Sequence, residues 1–354
     1  MKYLHGGCPE YYLKRFNLIK EKNQVIDFSV NINPLGPPQS VIQMWPKLIN
    51  KLPIYPTPDG EGIKEFYQKR FCLPKEFILP GNGSTEIIYL LARALPMRKV
   101  VILKPSYYDY ERASILAGKE IITIYIDPLN MDINELKKQI ITNLRVSDAL
   151  WIGRPNNPTG NILPKALIEE ISYNFSKKWI IIDEAFIQFL ENCENETFIS
   201  CDIPDNILVI HSLTKFYALP GLRIGALIAN PDVISLVKSK KEPWTVNNIA
   251  EEVAKSIYPC HEYERNTISI ISEQRKKLYN GLKLVEGVNP IISDVNFLLF
   301  MYEKDLDQLI KRLLQMGIFV RDCRNFDGLF KNYFRIGLRT PKENEFLISS
   351  FLSL

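Results

Sequence analysis

A chain of 354 residues is too long for one small core and fits a large domain with a smaller one beside it. With 46% hydrophobic and 24% charged residues it sits at ordinary globular values, which sets aside disorder and a membrane-embedded protein. A formal charge of +4, from 44 Lys and Arg against 40 Asp and Glu, comes with no basic block beyond short pairs such as Lys177-Lys178. Nucleic acid is therefore not an expected partner, whereas small anionic substrates are compatible.

The N-terminal Met1 to Gly7 has no apolar core of signal-peptide length, and no later run approaches membrane-spanning length, so a soluble enzyme of the cytoplasm is expected. Prolines mark loops over Asn33 to Pro38 and Pro53 to Pro58. From about residue 76 to 230, short Val- and Ile-rich runs alternate with helical patterns: Val100 to Leu103, Glu120 to Tyr125, Ala149 to Ile152, Trp179 to Asp183, Ile207 to Ile210 and Ile224 to Ile228. Such spacing predicts an α/β domain with a largely parallel sheet. Residues 232 to 282 are charged and helical in pattern. Val295 to Phe300, a helix near 304 to 316, Ile318 to Arg321 and Tyr333 to Leu338 then suggest a small α+β domain. The expected division is an N-terminal arm over 1–45, a large domain over 46–245 and a small one over 246–354. Six cysteines (Cys8, Cys72, Cys193, Cys201, Cys260, Cys323) lack the spacing of a zinc site or a disulfide framework, so reduced thiols and no metal are expected.

Four short elements carry chemistry. Pro80-Gly81-Asn82-Gly83-Ser84-Thr85-Glu86 stands between an apolar run and a helical one, where N–H groups at a helix start can hold an anion on Gly83, Ser84 and Thr85; a glycine turn with a cap is the alternative. Arg154-Pro155-Asn156-Asn157-Pro158-Thr159-Gly160 follows a strand, at the sheet edge where ligands bind, although taken in isolation it favours a plain turn. Asp183 ends a buried run, and a carboxylate there needs a cation or backbone N–H groups. Ser212-Leu213-Thr214-Lys215 follows the next run, with Arg223 beyond. A lysine held near other cations in a desolvated site gives up its proton readily, which is what amine chemistry with a carbonyl requires.

The ordered set GNGSTE, PNNPTG, DEAF, SLTK and Arg223 resembles the fold-type-I pyridoxal 5'-phosphate (PLP) enzymes, close to the histidinol-phosphate aminotransferases, over nearly the whole chain. The resemblance implies a large domain with a mainly parallel sheet plus a small α+β domain, and PLP as cofactor. By position, Lys215 would be joined covalently to PLP, Asp183 would pair with the pyridinium nitrogen and Asn157 would bond the ring oxygen. Gly83, Ser84, Thr85, Ser212, Thr214 and Arg223 would cup the phosphate, and Tyr107 would stack on the ring and take part in catalysis. Tyr55 resembles the tyrosine that reaches the cofactor phosphate of a neighbouring subunit, which implies a homodimer.

His5-Gly6-Gly7, Asp27 to Gly36, Asp183 to Phe186, Ser212 to Arg223, Pro243 to Asn247 and Val320 to Cys323 are more similar to the threonine-phosphate decarboxylases of cobalamin synthesis. Phe186 stands where aminotransferases of the group carry a tyrosine. On that resemblance Arg335 would grip the substrate carboxylate, with Asn157 beside it, and His5, Asn33, Arg321 and Arg339 are candidates for the substrate phosphate. The implied reaction is decarboxylation of L-threonine O-3-phosphate. L-serine O-phosphate decarboxylation and histidinol-phosphate transamination are the alternatives, and a non-enzymatic binding protein of this fold is a distant third.

Overall fold

The computed structural model describes residues 6–19, 21 and 24–354. Its larger sheet has seven strands, β1 (Ile78–Asn82), β2 (Lys99–Lys104), β3 (Glu120–Tyr125), β4 (Ala149–Gly153), β5 (Trp179–Asp183), β6 (Ile207–Ser212) and β7 (Ile224–Ile228). They lie in the order β1-β7-β6-β5-β4-β2-β3. Strands β3, β2, β4, β5 and β6 run parallel. Only β7 is reversed, antiparallel to both β6 and β1. All six Val- and Ile-rich runs are strands of this sheet.

These runs are apolar throughout because the sheet is covered on both faces. Side chains alternate along each strand, so Val101, Leu103, Leu150, Ile152, Ile180, Ile182 and Val209 enter one core. Their neighbours Val100, Ile102, Ala149, Trp151, Ile181, Leu208 and Ile210 enter the other. The second face is covered by Ile87, Ile88, Leu90 and Leu91 of a helix after β1. On the first face pack α1 (Glu61–Phe71), through Ile63, Phe66 and Tyr67, and later helices. In chain order, α2 is the helix Gly83–Ala94, α3 is Asn248–Ile257, α4 is His261–Lys283 and α5 is Pro341–Leu352.

A smaller antiparallel sheet follows, from β8 (Val288–Pro290), β9 (Phe297–Tyr302), β10 (Arg321–Asp322) and β11 (Tyr333–Gly337), in the order β10-β11-β9-β8. The run expected as one strand over Ile318 to Arg321 splits at buried Val320. Ile318 and Phe319 pair in parallel with Ile26 and Asp27, whereas Arg321 and Asp322 pair with β11. The N-terminal segment is thus tied to the C-terminal third. Because α3 packs its buried Ala250, Val253, Ala254 and Ile257 in the core shared with α1, we place the passage to the second sheet after Ile257.

Contact between α1 and α3 is close enough to need a glycine. A Cβ on Gly62 would stand 2.5 Å from the Glu251 carbonyl oxygen. Buried Glu251 accepts from Gly62 N at 2.9 Å, Thr57 N at 2.8 Å and Thr57 Oγ1 at 2.7 Å. Alanine gains about 1 kcal/mol of helix propensity, but a backbone oxygen cannot rotate away. Gly62→Ala is expected to cost about 1 to 3 kcal/mol as overpacking, read as a lower melting temperature. Gly221→Ala, where the Cβ meets nothing within 4 Å, is expected to stay within about 0.5 kcal/mol.

Candidate active site

Strands β1, β2, β4, β5 and β6 end on one edge, and a cavity of about 720 Å³ opens there. At its floor stand Asp183, the last residue of β5, and Lys215, three residues past β6. Parallel pairing of Asp183 with Ile210 brings the two ends side by side. Side-chain alternation then sorts the end of β6: Ser212 lines the cavity, whereas His211 faces α1, with Nδ1 2.9 Å from the Tyr67 hydroxyl.

Desolvation pulls the Lys215 amine down to about 8, Arg223 and Arg335 pull it the same way, and Asp183 opposes them. Burial lifts Asp183 to about 6 against the Tyr110 hydroxyl at 2.8 Å, the Ala185 N–H at 3.0 Å and the charge of Lys215. This carboxyl is short of positive charge, which suits a protonated ring nitrogen. Tyr110, stacked on Trp151 at 5.4 Å, braces it. Sequence reading missed Tyr110, although its place three residues after Tyr107 on a helical pattern was visible.

At one side of the cavity the chain makes a cradle. Gly83 has φ +76°, and a Cβ there would meet Arg223 Nη2 at 2.5 Å. A Cβ on Gly225 would stand 2.6 Å from Ser84 N. The cradle therefore requires both glycines, with Ser84 and Thr85 opening α2. Ser212 Oγ lies 2.8 Å from Thr214 Oγ1, and Arg223, at φ +57° after the 220–222 turn, lines the same cavity with its guanidinium against Gly83. Hydroxyls, helix-start N–H groups and a guanidinium together are the donor set of a phosphate, so these residues fit the phosphate end of PLP.

Tyr107 lines the cavity with its phenol raised by burial and by Asp109, to which it and Tyr89 hydrogen-bond; the Tyr89 bond is 2.7 Å. Phe186 lies edge-on to Phe297 at 5.1 Å. Asn157 Oδ1 accepts from Arg335 Nη1, and both residues line the cavity. Arg335 Nη2 also donates to Ser29 O at 3.2 Å, its Nε has no partner among the described residues, and burial draws its guanidinium down to about 10. Directly across the sheet stands Arg321, held by Asp322 O and by Asn325 Oδ1 at 2.8 Å.

Other expected site residues lie elsewhere. Arg321 does not line the cavity. Arg339 is turned to Glu343 at 3.0 Å and Asp27 O at 3.3 Å, within the capping box of α5. Asn33 is spent on Phe216 O, Tyr263 and Thr267, away from the cavity. Tyr55 is 85% exposed and packs beside Trp244, at 6.1 Å. His5 falls outside the described residues, although Gly6 lines the cavity. In place of Asn33 the cavity receives Asn31, buried, with its Oδ1 unpartnered among the described residues. Nothing in Asn31-Ile32-Asn33 separates the two amides.

A mainly parallel sheet with a lysine and a carboxylate at adjoining strand ends is the framework of a PLP enzyme. The chain belongs to the aminotransferase class I and II family, whose model matches residues 23–351, and its cofactor is PLP. Within that class it is similar to the threonine-phosphate decarboxylase of Salmonella typhimurium, at 32% identity over 93% of this chain and 90% of that protein. It is also 34% identical, over 94% of its length, to the adenosylcobalamin biosynthesis bifunctional protein CobDQ of Leptospira interrogans, of which it spans 39%. The crystal structure of the histidinol-phosphate aminotransferase from Clostridium acetobutylicum matches with TM-score 0.85 and 29% identity, covering 92% of this chain and 98% of that one.

With its amine near 8, about a tenth of Lys215 is neutral at pH 7, against a few parts in ten thousand for an ordinary lysine. Reductive methylation of the PLP-free chain with formaldehyde and cyanoborohydride, read at Lys215 by peptide mass spectrometry, is expected to have its midpoint near pH 8. A midpoint near the ordinary lysine value would remove the desolvated amine from the site.

Proposed function

We propose that the chain decarboxylates L-threonine O-3-phosphate to (R)-1-amino-2-propanol O-2-phosphate in the formation of the cobalamin nucleotide loop. The observation that carries this reading is Arg335, buried in the cavity wall with its Nε unpartnered among the described residues, which calls for an anionic substrate group. A phosphorylated amino acid brings both a carboxylate and a phosphate. Similarity to a threonine-phosphate decarboxylase over nine-tenths of both chains supports the same substrate class.

When bound, PLP supplies an electron sink for whichever bond at the substrate α-carbon stands perpendicular to its ring. The residues of this chain decide which bond that is. Arg335, fixed by Asn157 and Ser29, anchors an anionic group at the cavity wall. Asn31, which lines the same cavity, offers an acceptor with no partner among the described residues. Phe186, backed by Phe297, puts an apolar ring in the cavity wall that withholds water, and a weakly solvated carboxylate leaves more readily. Lys215 Nζ, neutral for an appreciable fraction, accepts and returns a proton, and Asp183 maintains the counter-charge below.

Exposed Trp45, Ile49, Leu52, Ile54, Tyr55 and Trp244 support a homodimer in which Tyr55 reaches the neighbouring cofactor phosphate. The protein is then expected to sediment at twice the chain mass, and Ile49→Glu with Leu52→Glu at one chain mass; a single-chain mass for the unaltered protein would remove the dimer.

Carbon dioxide release is expected from L-threonine O-3-phosphate, with L-serine O-phosphate slower by the about 1 to 3 kcal/mol that one methyl group is worth in a pocket. Histidinol-phosphate transamination is the second reading, favoured by the Clostridium acetobutylicum structure. Glutamate formed from histidinol phosphate and 2-oxoglutarate, with no carbon dioxide from either phosphoamino acid, would decide for it.

A further inference from the structure

The turn that carries Lys215 is held from outside by a residue far away in sequence. Asn33 N donates to Lys215 O at 3.1 Å, and Asn33 Nδ2 donates to Phe216 O at 2.7 Å. The second Nδ2 hydrogen has Tyr263 Oη and Thr267 Oγ1 within reach, both at 2.9 Å and both on α4. Oδ1 is occupied too, accepting from Leu35 N at 3.0 Å. Tyr263 adds a hydroxyl 3.1 Å from the same Phe216 carbonyl and 2.7 Å from Gly36 O. The arrangement is buried, with Asn33 3% and Thr267 0% exposed.

Its load is visible two residues on. Ala218 adopts φ +53°, a left-handed conformation in a residue with a Cβ, and its N–H lies 3.4 Å from Lys215 O. Such a conformer costs on the order of 1 to 3 kcal/mol and persists only where the surroundings over-determine it. Asn33 supplies two of the restraints, on Lys215 O and Phe216 O. No near neighbour in chemistry replaces it: aspartate has no donor for Phe216 O, serine has one donor at most, and glutamine is a methylene too long.

We propose that Asn33 is a positioning residue for Lys215, fixing the two carbonyls around the lysine against α4 so that its amine stays aimed into the cavity among Asp183, Arg223 and Arg335. It acts through the backbone and touches neither substrate nor cofactor. The inference rests on Lys215 being the lysine joined to PLP. Borohydride reduction that fixed the cofactor to another lysine would remove that assignment, whatever the Asn33 variants do.

The test compares Asn33→Ala, Asn33→Asp and Tyr263→Phe with the unaltered protein. For L-threonine O-3-phosphate, kcat is expected to fall about ten- to a hundredfold in the Asn33 variants, the scale of a sub-ångström to ångström misplacement, with KM changed less than about threefold. In the PLP-free chain, the methylation midpoint of Lys215 is expected to rise by about one pH unit as the loosened turn admits water. Tyr263→Phe, which removes one hydroxyl and keeps the ring, is expected to move kcat and midpoint the same way by less. A raised KM with unchanged kcat and midpoint would make Asn33 a substrate anchor and overturn the proposal. A lowered melting temperature with turnover per loaded site and midpoint unchanged would overturn it as well. Should neither Asn33 variant fold, unaltered kcat and midpoint in Tyr263→Phe would do the same. Absence of threonine-phosphate turnover in the unaltered protein would sink the proposed reaction alone, since the methylation midpoints need no substrate.

Discussion

An amine kept short of protons next to one carboxyl kept short of cations is the constraint on which the rest of this structure depends. Arg223 and Arg335 act on Lys215 from nearby, and among the described residues the opposing charge is that of Asp183. Desolvation makes both groups costly where they stand, so the fold has to pin them. It does so with the stiffest parts available, the ends of two adjacent, fully buried parallel strands, β5 and β6. The positive excess of the cavity then defines its ligands: an anionic cofactor at the Gly83 cradle and an anionic substrate at Arg335.

Much of this was legible in the chain because the chemistry-bearing residues end strongly patterned runs. Val- and Ile-rich strands buried on both faces announce a parallel sheet, and Asp183, Lys215 and the Gly83 turn sit where such strands deliver their ligands. The illegible part depends on long-range capture of side chains. Asn31 and Asn33 are two positions apart, and only α4, some 230 residues later, decides that Asn33 is consumed by the Lys215 turn while Asn31 meets the cavity. Arg321 and Arg335 are brought face to face by a register that no local pattern reports.

Arg339 is a different case. Thr340-Pro341-Lys342-Glu343 is a capping box in plain sequence, with Thr340 and Glu343 bonded reciprocally at the start of α5. A carboxylate committed to that cap lies 3.0 Å from the Arg339 guanidinium, so the local signal already spoke against a free phosphate anchor. The strand over Ile318 to Arg321 failed for a subtler reason: four apolar or strand-prone residues read as one element, yet its halves serve two different sheets on either side of Val320.

The parallel pairing of Ile26 and Asp27 with Ile318 and Phe319 carries a consequence for biosynthesis. A nascent chain emerging from the ribosome cannot dock Ile26 and Asp27 until Ile318 and Phe319, some 290 residues later, have been made. Ser29, which receives Arg335, and Asn31 lie just past that pairing. The central sheet and its cradle are complete long before, so the order of synthesis lets the larger sheet form first and leaves the substrate wall to close last.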